Sequence, residues 1–449
     1  MQSPHPIAFE QASGVFMRLQ SIIVALFSVL AATACTSSNM KETAPQSAQP
    51  TDDSGADATT ATDGSGPTWH RDVAPILSTQ CARCHYDGGL GPADFTDLDT
   101  VRALAPAMVG AMEDRLMPPP ASDPGCQDYS GSEHLVMSDE DRERFASWVA
   151  ADMPEGDPTD AVPAEPVKDT LEDPDLVLMM DNPYLPAFTD PANPGNEYRC
   201  FVIDATELGG RNIRAMAPVL GANQMVHHIV LFSVPSSTLT EDMLAPGGWD
   251  CIDGQNVGTA DGMISAWAPG MLPIEFPEGT GMHFEADHQL VVQMHYFYGG
   301  SSTDGTSDQS GYAFHLVPEG EPVTPVLLAP AGNFSFEIPA GAAEYTVEDT
   351  FENNYVPLKL LGVFPHMHDL GTWFNARIRH TDGSETCLVD GAYSFDNQMT
   401  YQFREPIVFD SGDVLDFSCT WDNSEGTEPV RWGERTNEEM CFFFTFLTL

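Results

Sequence analysis

A small all-helical domain followed by all-β domains is the fold class this sequence predicts, and three observations predict it. Apolar residues recur at helical spacing between Trp69 and about Pro158, they recur at strand spacing beyond Asp175, and a stretch rich in Pro, Glu and Asp separates the two regimes. At 449 residues the chain exceeds what one core supports, and a prior of roughly 150 residues per domain gives about three.

Residues 1–34 read as an export signal. Met17-Arg18 precedes an apolar run from Ser21 to Ala34 that is too short to span a bilayer as a helix, and Ala32-Thr33-Ala34 places small residues before Cys35. Lipidation of Cys35 makes the protein a bacterial lipoprotein of the periplasm or cell surface, touching membrane only through that lipid; an ordinary secretory signal is the alternative, and both lead out of the cytoplasm. Residues 35–66 are Ser, Thr, Ala, Asp, Gly and Pro with almost no large apolar side chains, the composition of a disordered tether. The whole chain carries 67 acidic against 18 basic residues, a formal charge of -49, which repels nucleic acid and anionic head groups and excludes both as partners.

Residues 67–158 form the helical domain. Asp72–Leu77 and Asp139–Val149 carry helical apolar spacing, and Ser138 with Asp141 three residues on is a helix start. Within it, Cys81-Ala82-Arg83-Cys84-His85 has the spacing at which two thiols bond the vinyl groups of one haem while the adjacent imidazole ligates iron, so the domain reads as cytochrome c-like with one covalent haem c. A disulfide between Cys81 and Cys84 is the competing reading. Met117, ahead of Pro118-Pro119-Pro120, is the expected sixth ligand, with Met108, Met112 and Met137 as rivals.

Residues 159–174 are a linker, and the strands follow: Arg199–Ile203, His228–Val234, Leu290–Tyr298, Tyr312–Val317 and Phe442–Leu449, parted by turn clusters such as Asp382-Gly383. Short strands with little helix signal imply β-sandwiches. Along them run His227-His228, His295, His366-Met367-His368 and Met440, which divide into three imidazoles and two imidazoles with a thioether. Imidazole suits copper, and a thioether favours the cuprous state, so the pattern predicts a copper redox enzyme. His366 and His368, two apart on a strand, face one way. Adjacent His227 and His228 face opposite ways in a regular strand and converge only at a bulge or a strand end. Apart from Cys35 and the haem pair, six cysteines remain, which allow fifteen pairings.

Taken in order, these segments resemble the copper type II, ascorbate-dependent monooxygenase family of peptidylglycine α-hydroxylating monooxygenase and dopamine β-hydroxylase. The resemblance covers roughly Pro174 to Leu449. It runs through Met225–Phe232, Ser265-Ala266-Trp267-Ala268-Pro269, Gln293-Met294-His295-Tyr296, His366-Met367-His368-Asp369-Leu370-Gly371 and Glu439-Met440-Cys441. It implies two jelly-roll-like β-sandwiches, residues 175–325 and 326–449, each holding one copper across a solvent-filled cleft. His227, His228 and His295 would form the electron-transfer site. His366, His368 and Met440 would form the catalytic site, where dioxygen is reduced and a C–H bond hydroxylated. It also implies disulfides Cys419–Cys441 and Cys200–Cys251; Cys126 and Cys387 gain no partner from it, which leaves a bridge from the helical to the catalytic region open.

Two departures shape the expected chemistry. Where the peptide-hydroxylating enzyme carries an arginine and a tyrosine for its substrate's carboxylate, this chain has Phe364 and Phe444, and Phe442 replaces a polar neighbour. Phenyl rings offer no bidentate clamp, so the expected substrate is a small apolar or aromatic molecule, with core packing as the competing role of the three rings. The helical domain is the second departure: the strong negative charge disfavours anionic ascorbate, and a tethered haem supplies electrons to the site of His227, His228 and His295 at high local concentration, itself served by an external donor. The alternative function is an extracytoplasmic electron-transfer or copper-binding protein without hydroxylase activity.

Overall fold

Capped helices build the first part of Gly66–Leu449, which forms one compact unit. The computed structural model describes residues 66–89, 91–163, 169–189, 195–251, 262–297, 305–433 and 437–449; the expected signal, Cys35 and the tether up to residue 65 lie outside the described residues. Helix Leu98–Glu113 starts where the Asp97 carboxylate accepts the Thr100 N–H, and Asp139–Ala150 where the Ser138 hydroxyl accepts the Asp141 N–H at 3.1 Å. The segment expected to be helical over Asp72–Leu77 is in two parts, a π turn Trp69–Val73 and a helix Ala74–Gln80. At the turn, the Asp72 carboxylate accepts the Thr68 N–H at 2.8 Å. Leu77, Val101, Met112, Phe145 and Trp148 fill the core of this region. No helix among the described residues is long and apolar enough to cross a membrane.

Beyond Asp175 the structure is mostly β-sheet. One sheet orders its strands Leu176–Met179, Gly311–Leu316, Asn212–Val219, Thr280–His283 and Thr324–Pro325; its companion orders Trp249–Asp250, Asn196–Ile203, His288–Phe297, Val226–Pro235 and Met263–Trp267. A second pair follows: Leu327–Asn333, Cys441–Thr448, Leu358–His366 and Tyr401–Phe409, and opposite them Tyr345–Glu352, Val414–Trp421, Gly371–Arg379 and Glu385–Ala392. Phe443 of the first sheet stacks on Phe374 and Phe417 of the second, with ring centroids 5.9 and 6.4 Å apart, which makes this pair a sandwich with an aromatic centre.

Disulfides join Cys200 to Cys251 and Cys419 to Cys441, and a third joins Cys126 to Cys387 across 261 positions. The third bond ties the segment after the helix Leu98–Glu113 to strand Glu385–Ala392. Around it, the Tyr129 hydroxyl meets Ser122 Oγ at 2.8 Å and donates to the Leu388 carbonyl at 3.0 Å, while the Tyr401 hydroxyl accepts the Ser122 N–H at 2.9 Å. These groups are buried and satisfied, so the helical region and the last sandwich share a polar joint that resists separation.

Candidate metal centres

Strand Val226–Pro235 pairs with His288–Phe297 so that Val226 faces Tyr296 and His228 faces His295, and the register shifts between them. His227 is the extra residue of that bulge. The bulge removes the alternation that would send His227 and His228 to opposite faces, as their adjacency required. Nδ1 of His295 lies 3.3 Å from Nδ1 of His227 and 3.1 Å from Nδ1 of His228. His295 Nε2 donates to Asn196 Oδ1 at 2.7 Å, which fixes the tautomer and leaves Nδ1 as its inward lone pair. Burial, and secondarily the neighbouring imidazoles, hold His228 and His295 well below the usual imidazole range, so these two rings are neutral. The three side chains offer ligand atoms within 4.8 Å of one another. Imidazole–metal bonds of about 2.0 Å set nitrogens roughly 3 Å apart, and this donor set fits one ion.

The second cluster is assembled by a strand end and a clasp. Strand Leu358–His366 stops at His366, and His368 reaches the same space through the turn beyond it; the ring centroids are 5.3 Å apart at 82°. Strand alternation alone does not bring the pair together. The Tyr393 hydroxyl holds the Met367 backbone on both sides, accepting its N–H at 3.0 Å and donating to its carbonyl at 2.6 Å. The buried Glu439 carboxylate accepts N–H groups of His368, Leu370 and Met440 and the Trp421 indole N–H. Burial pushes that carboxyl up to about 7, against the pull of these donors. His368 Nδ1 donates to the Glu438 carbonyl at 3.0 Å and His366 Nδ1 to Gln398 Oε1 at 2.6 Å, which puts Nε2 of each ring toward the cluster. Burial drives His366 down to about 3. Met440 follows the clasping residues and packs into the apolar cluster of Ala266, Phe364, Phe442 and Phe444; Phe364 stacks on His366 at 5.9 Å.

Between the two histidine clusters the resemblance implied a solvent-filled cleft, and here side chains occupy that space. Gln398 holds His366 and brings Nε2 to 3.3 Å from His228 Nε2, and the Phe395 ring lies 5.4 Å from His228 and 5.9 Å from His368. Gln398, Asn196, Tyr393 and the clasp role of Glu439 were not singled out from sequence, because each acts on a residue more than 20 positions away and carries no local signal.

At the Cys-x-x-Cys-His segment, Cys81 and Cys84 are unbonded, and burial raises the Cys81 thiol to about 12. The His85 ring stacks on Phe95 with centroids 4.1 Å apart, and its Nδ1 is buried without a hydrogen-bond acceptor among the described residues. Gly91 lies against that ring; a Cβ there would meet Nδ1 at 2.4 Å. Met108, Met112 and Met137 are buried in the helical core, whereas Met117 is 45 % exposed and uncommitted to packing.

Residues 184–298 match the model of the copper type II ascorbate-dependent monooxygenase N-terminal domain and residues 327–447 that of the C-terminal domain, together just over half of the chain. The chain is 25 % identical over 222 residues to peptidylglycine alpha-amidating monooxygenase of Rattus norvegicus, covering 48 % of this chain and 22 % of that protein. It is 25 % identical over 240 residues to dopamine beta-hydroxylase of Canis lupus familiaris, covering 49 % and 37 %. DBH-like monooxygenase protein 2 of Mus musculus gives 26 % over 243 residues, covering 49 % and 38 %. The matched stretch thus spans well under half the length of these relatives. A solved structure of infectious bursal disease virus Gx strain overlaps 64 % of this chain and 75 % of that one at TM-score 0.18 and 11 % identity, a likeness that carries no argument.

Proposed function

The chain belongs to the copper type II ascorbate-dependent monooxygenase family, and from that premise we propose that it uses dioxygen to hydroxylate a C–H bond of a small apolar or aromatic molecule, with electrons supplied through a covalent c-type haem. The carrying observation is the gathering of distant histidines into two clusters, one with three inward Nδ1 atoms and one whose His366 shares the ring of Phe364 with Met440. His227, His228 and His295 hold one copper; His366, His368 and Met440 hold the other. When bound, the coppers supply one-electron redox chemistry and a place for dioxygen.

The protein's own groups do the rest. Asn196, Gln398 and the Glu438 carbonyl each take the outward N–H of a ligand ring and so aim its other nitrogen. Phe364, Phe442 and Phe444 form an apolar wall beside His366 and Met440, which favours an apolar substrate and excludes water from the reacting carbon. Cys81 and Cys84 attach haem, His85 ligates it, and Met117 is free to complete the ligation. Three disulfides support an oxidising, extracytoplasmic location, with lipidated Cys35 as anchor.

Turnover of a panel of aromatic and alkyl substrates under labelled dioxygen tests this: one labelled oxygen atom enters the product. A carrier or copper-storage protein cycles its metals and leaves every substrate unlabelled, which would overturn the reading.

A further inference from the structure

We infer that electrons reach the His227 cluster from the haem through the hydrogen bond between Tyr86 and Asn223, an inference that rests on the covalent haem proposed above. Tyr86 directly follows His85, and its hydroxyl accepts from Asn223 Nδ2 at 2.7 Å. Asn223 sits in the turn that leads into strand Val226–Pro235, four positions before His227. That turn is held on both sides: the Met225 N–H donates to the Ala222 carbonyl at 3.1 Å and the Met225 carbonyl accepts from the Phe297 N–H at 2.9 Å.

A second contact seats the same loop on the same β-domain. Arg83, between the two thiols, is 8 % exposed and donates from Nη1 to the Gly270 carbonyl at 3.1 Å. Gly270 has φ +86, and a Cβ there would lie 2.9 Å from Arg83 Nη1, so only glycine leaves the guanidinium its seat. The path from the iron ligand to a copper ligand is thus covalent bonds and one short hydrogen bond, with no gap through solvent. A rival path starts near Met117: Asn397 donates to the Pro120 carbonyl at 3.0 Å, and the next residue, Gln398, holds His366. It enters the other cluster first and touches this one only at the far end of the Gln398 amide, whose Nε2 lies 3.3 Å from His228 Nε2. Per passage, the haem iron is oxidised from ferrous to ferric and the copper held by His227, His228 and His295 is reduced from cupric to cuprous; an external one-electron donor restores the haem.

The test is flash reduction of the haem by a photoexcited one-electron dye in the oxidised, oxygen-free full-length protein. Ferrous haem absorbance and the cupric paramagnetic signal are followed together. Tyr86→Phe and Asn223→Leu are expected to slow haem reoxidation several-fold, with haem content, copper content and haem midpoint potential unchanged. Asn223→Asp restores the rate, because the tyrosine O–H then donates to the carboxylate. Wild-type rates in Tyr86→Phe and Asn223→Leu, or slowing confined to Asn397→Ala, would overturn the route. Absence of covalent haem from the purified protein, read as its pyridine complex, overturns the reading beneath it instead.

Discussion

Glu439 Oε2 accepts the backbone N–H of His368 at 2.9 Å, so the residue before Met440 grips the residue that shares its proposed copper. The same carboxylate takes N–H groups from Leu370, Met440 and the Trp421 indole. In Glu439→Gln one oxygen becomes an NH2 group facing donors, and a buried donor left unsatisfied costs about 1–3 kcal/mol. The variant is expected to lose about 2 kcal/mol of stability and the copper of the Met440 cluster while keeping that of His227. Urea unfolding with copper analysis per chain checks it; two full coppers in the variant would show that the clasp does not set the site.

Acid sensitivity of the metal-free protein follows from the buried imidazoles. His228 and His295 lie well below the ordinary 6.5 and His366 at about 3, so below 6.5 the unfolded chain binds protons that the folded chain refuses. Their contribution is full above 6.5 and is lost progressively as pH falls from there toward each folded value. Glu439 has the opposite sign: its carboxyl, raised to about 7 from 4.5, adds stability that is full below 4.5 and lost as pH rises through 7. Three groups oppose one, and the chelator-treated protein is expected to melt at lower temperature at about pH 5 than at about pH 6.5. His228→Gln should flatten that difference; an unchanged slope in the variant assigns the acid sensitivity elsewhere.

The Cys126–Cys387 bond closes a loop of 261 positions. Loop-closure entropy makes such a bond worth roughly 5–6 kcal/mol as an upper figure. The double serine variant keeps the Ser122, Tyr129 and Tyr401 joint, so it is expected to stay folded with a melting temperature several degrees lower and with haem and copper contents intact. Calorimetry under non-reducing conditions decides it: equal melting temperatures would mean that the joint alone holds the helical region in place.

Periodicity made the β-regions and the Ser138 helix start legible, because alternation and caps are local signals. Local strand geometry also said that His227 and His228 needed a bulge or a strand end, and the register shift beside His295 supplies it. The His366–His368 turn was less legible. Alternation put both rings on one strand face, but the strand stops at His366 and it is Tyr393 and Glu439, 26 and 71 positions from the residues they hold, that bring the pair together. The π turn at Trp69 was likewise hidden, since its apolar spacing matches that of an ordinary helix.

Phe364 separates two roles for the aromatic wall. Its ring is 6 % exposed and lies 5.9 Å from both His366 and Phe444, a position that suits a core side chain and the floor of a substrate site alike. If packing is its whole role, Phe364→Ala costs about 3–5 kcal/mol and leaves substrate preference untouched, because the cavity opens onto nothing that turns over. If it faces substrate, the removed ring opens space beside the His366 cluster. KM for the smallest aromatic substrate rises, bulkier aromatics become the preferred substrates, and Phe364→Leu, which keeps the apolar surface, falls between. The second outcome is expected, since the cluster joins Ala266 of one β-domain to Phe364, Phe442 and Phe444 of the other, beside the residues of the proposed catalytic copper. Relative kcat/KM across a graded aromatic series, measured with the unfolding free energy of each variant, distinguishes them; destabilisation with an unmoved series returns the three phenylalanines to the core.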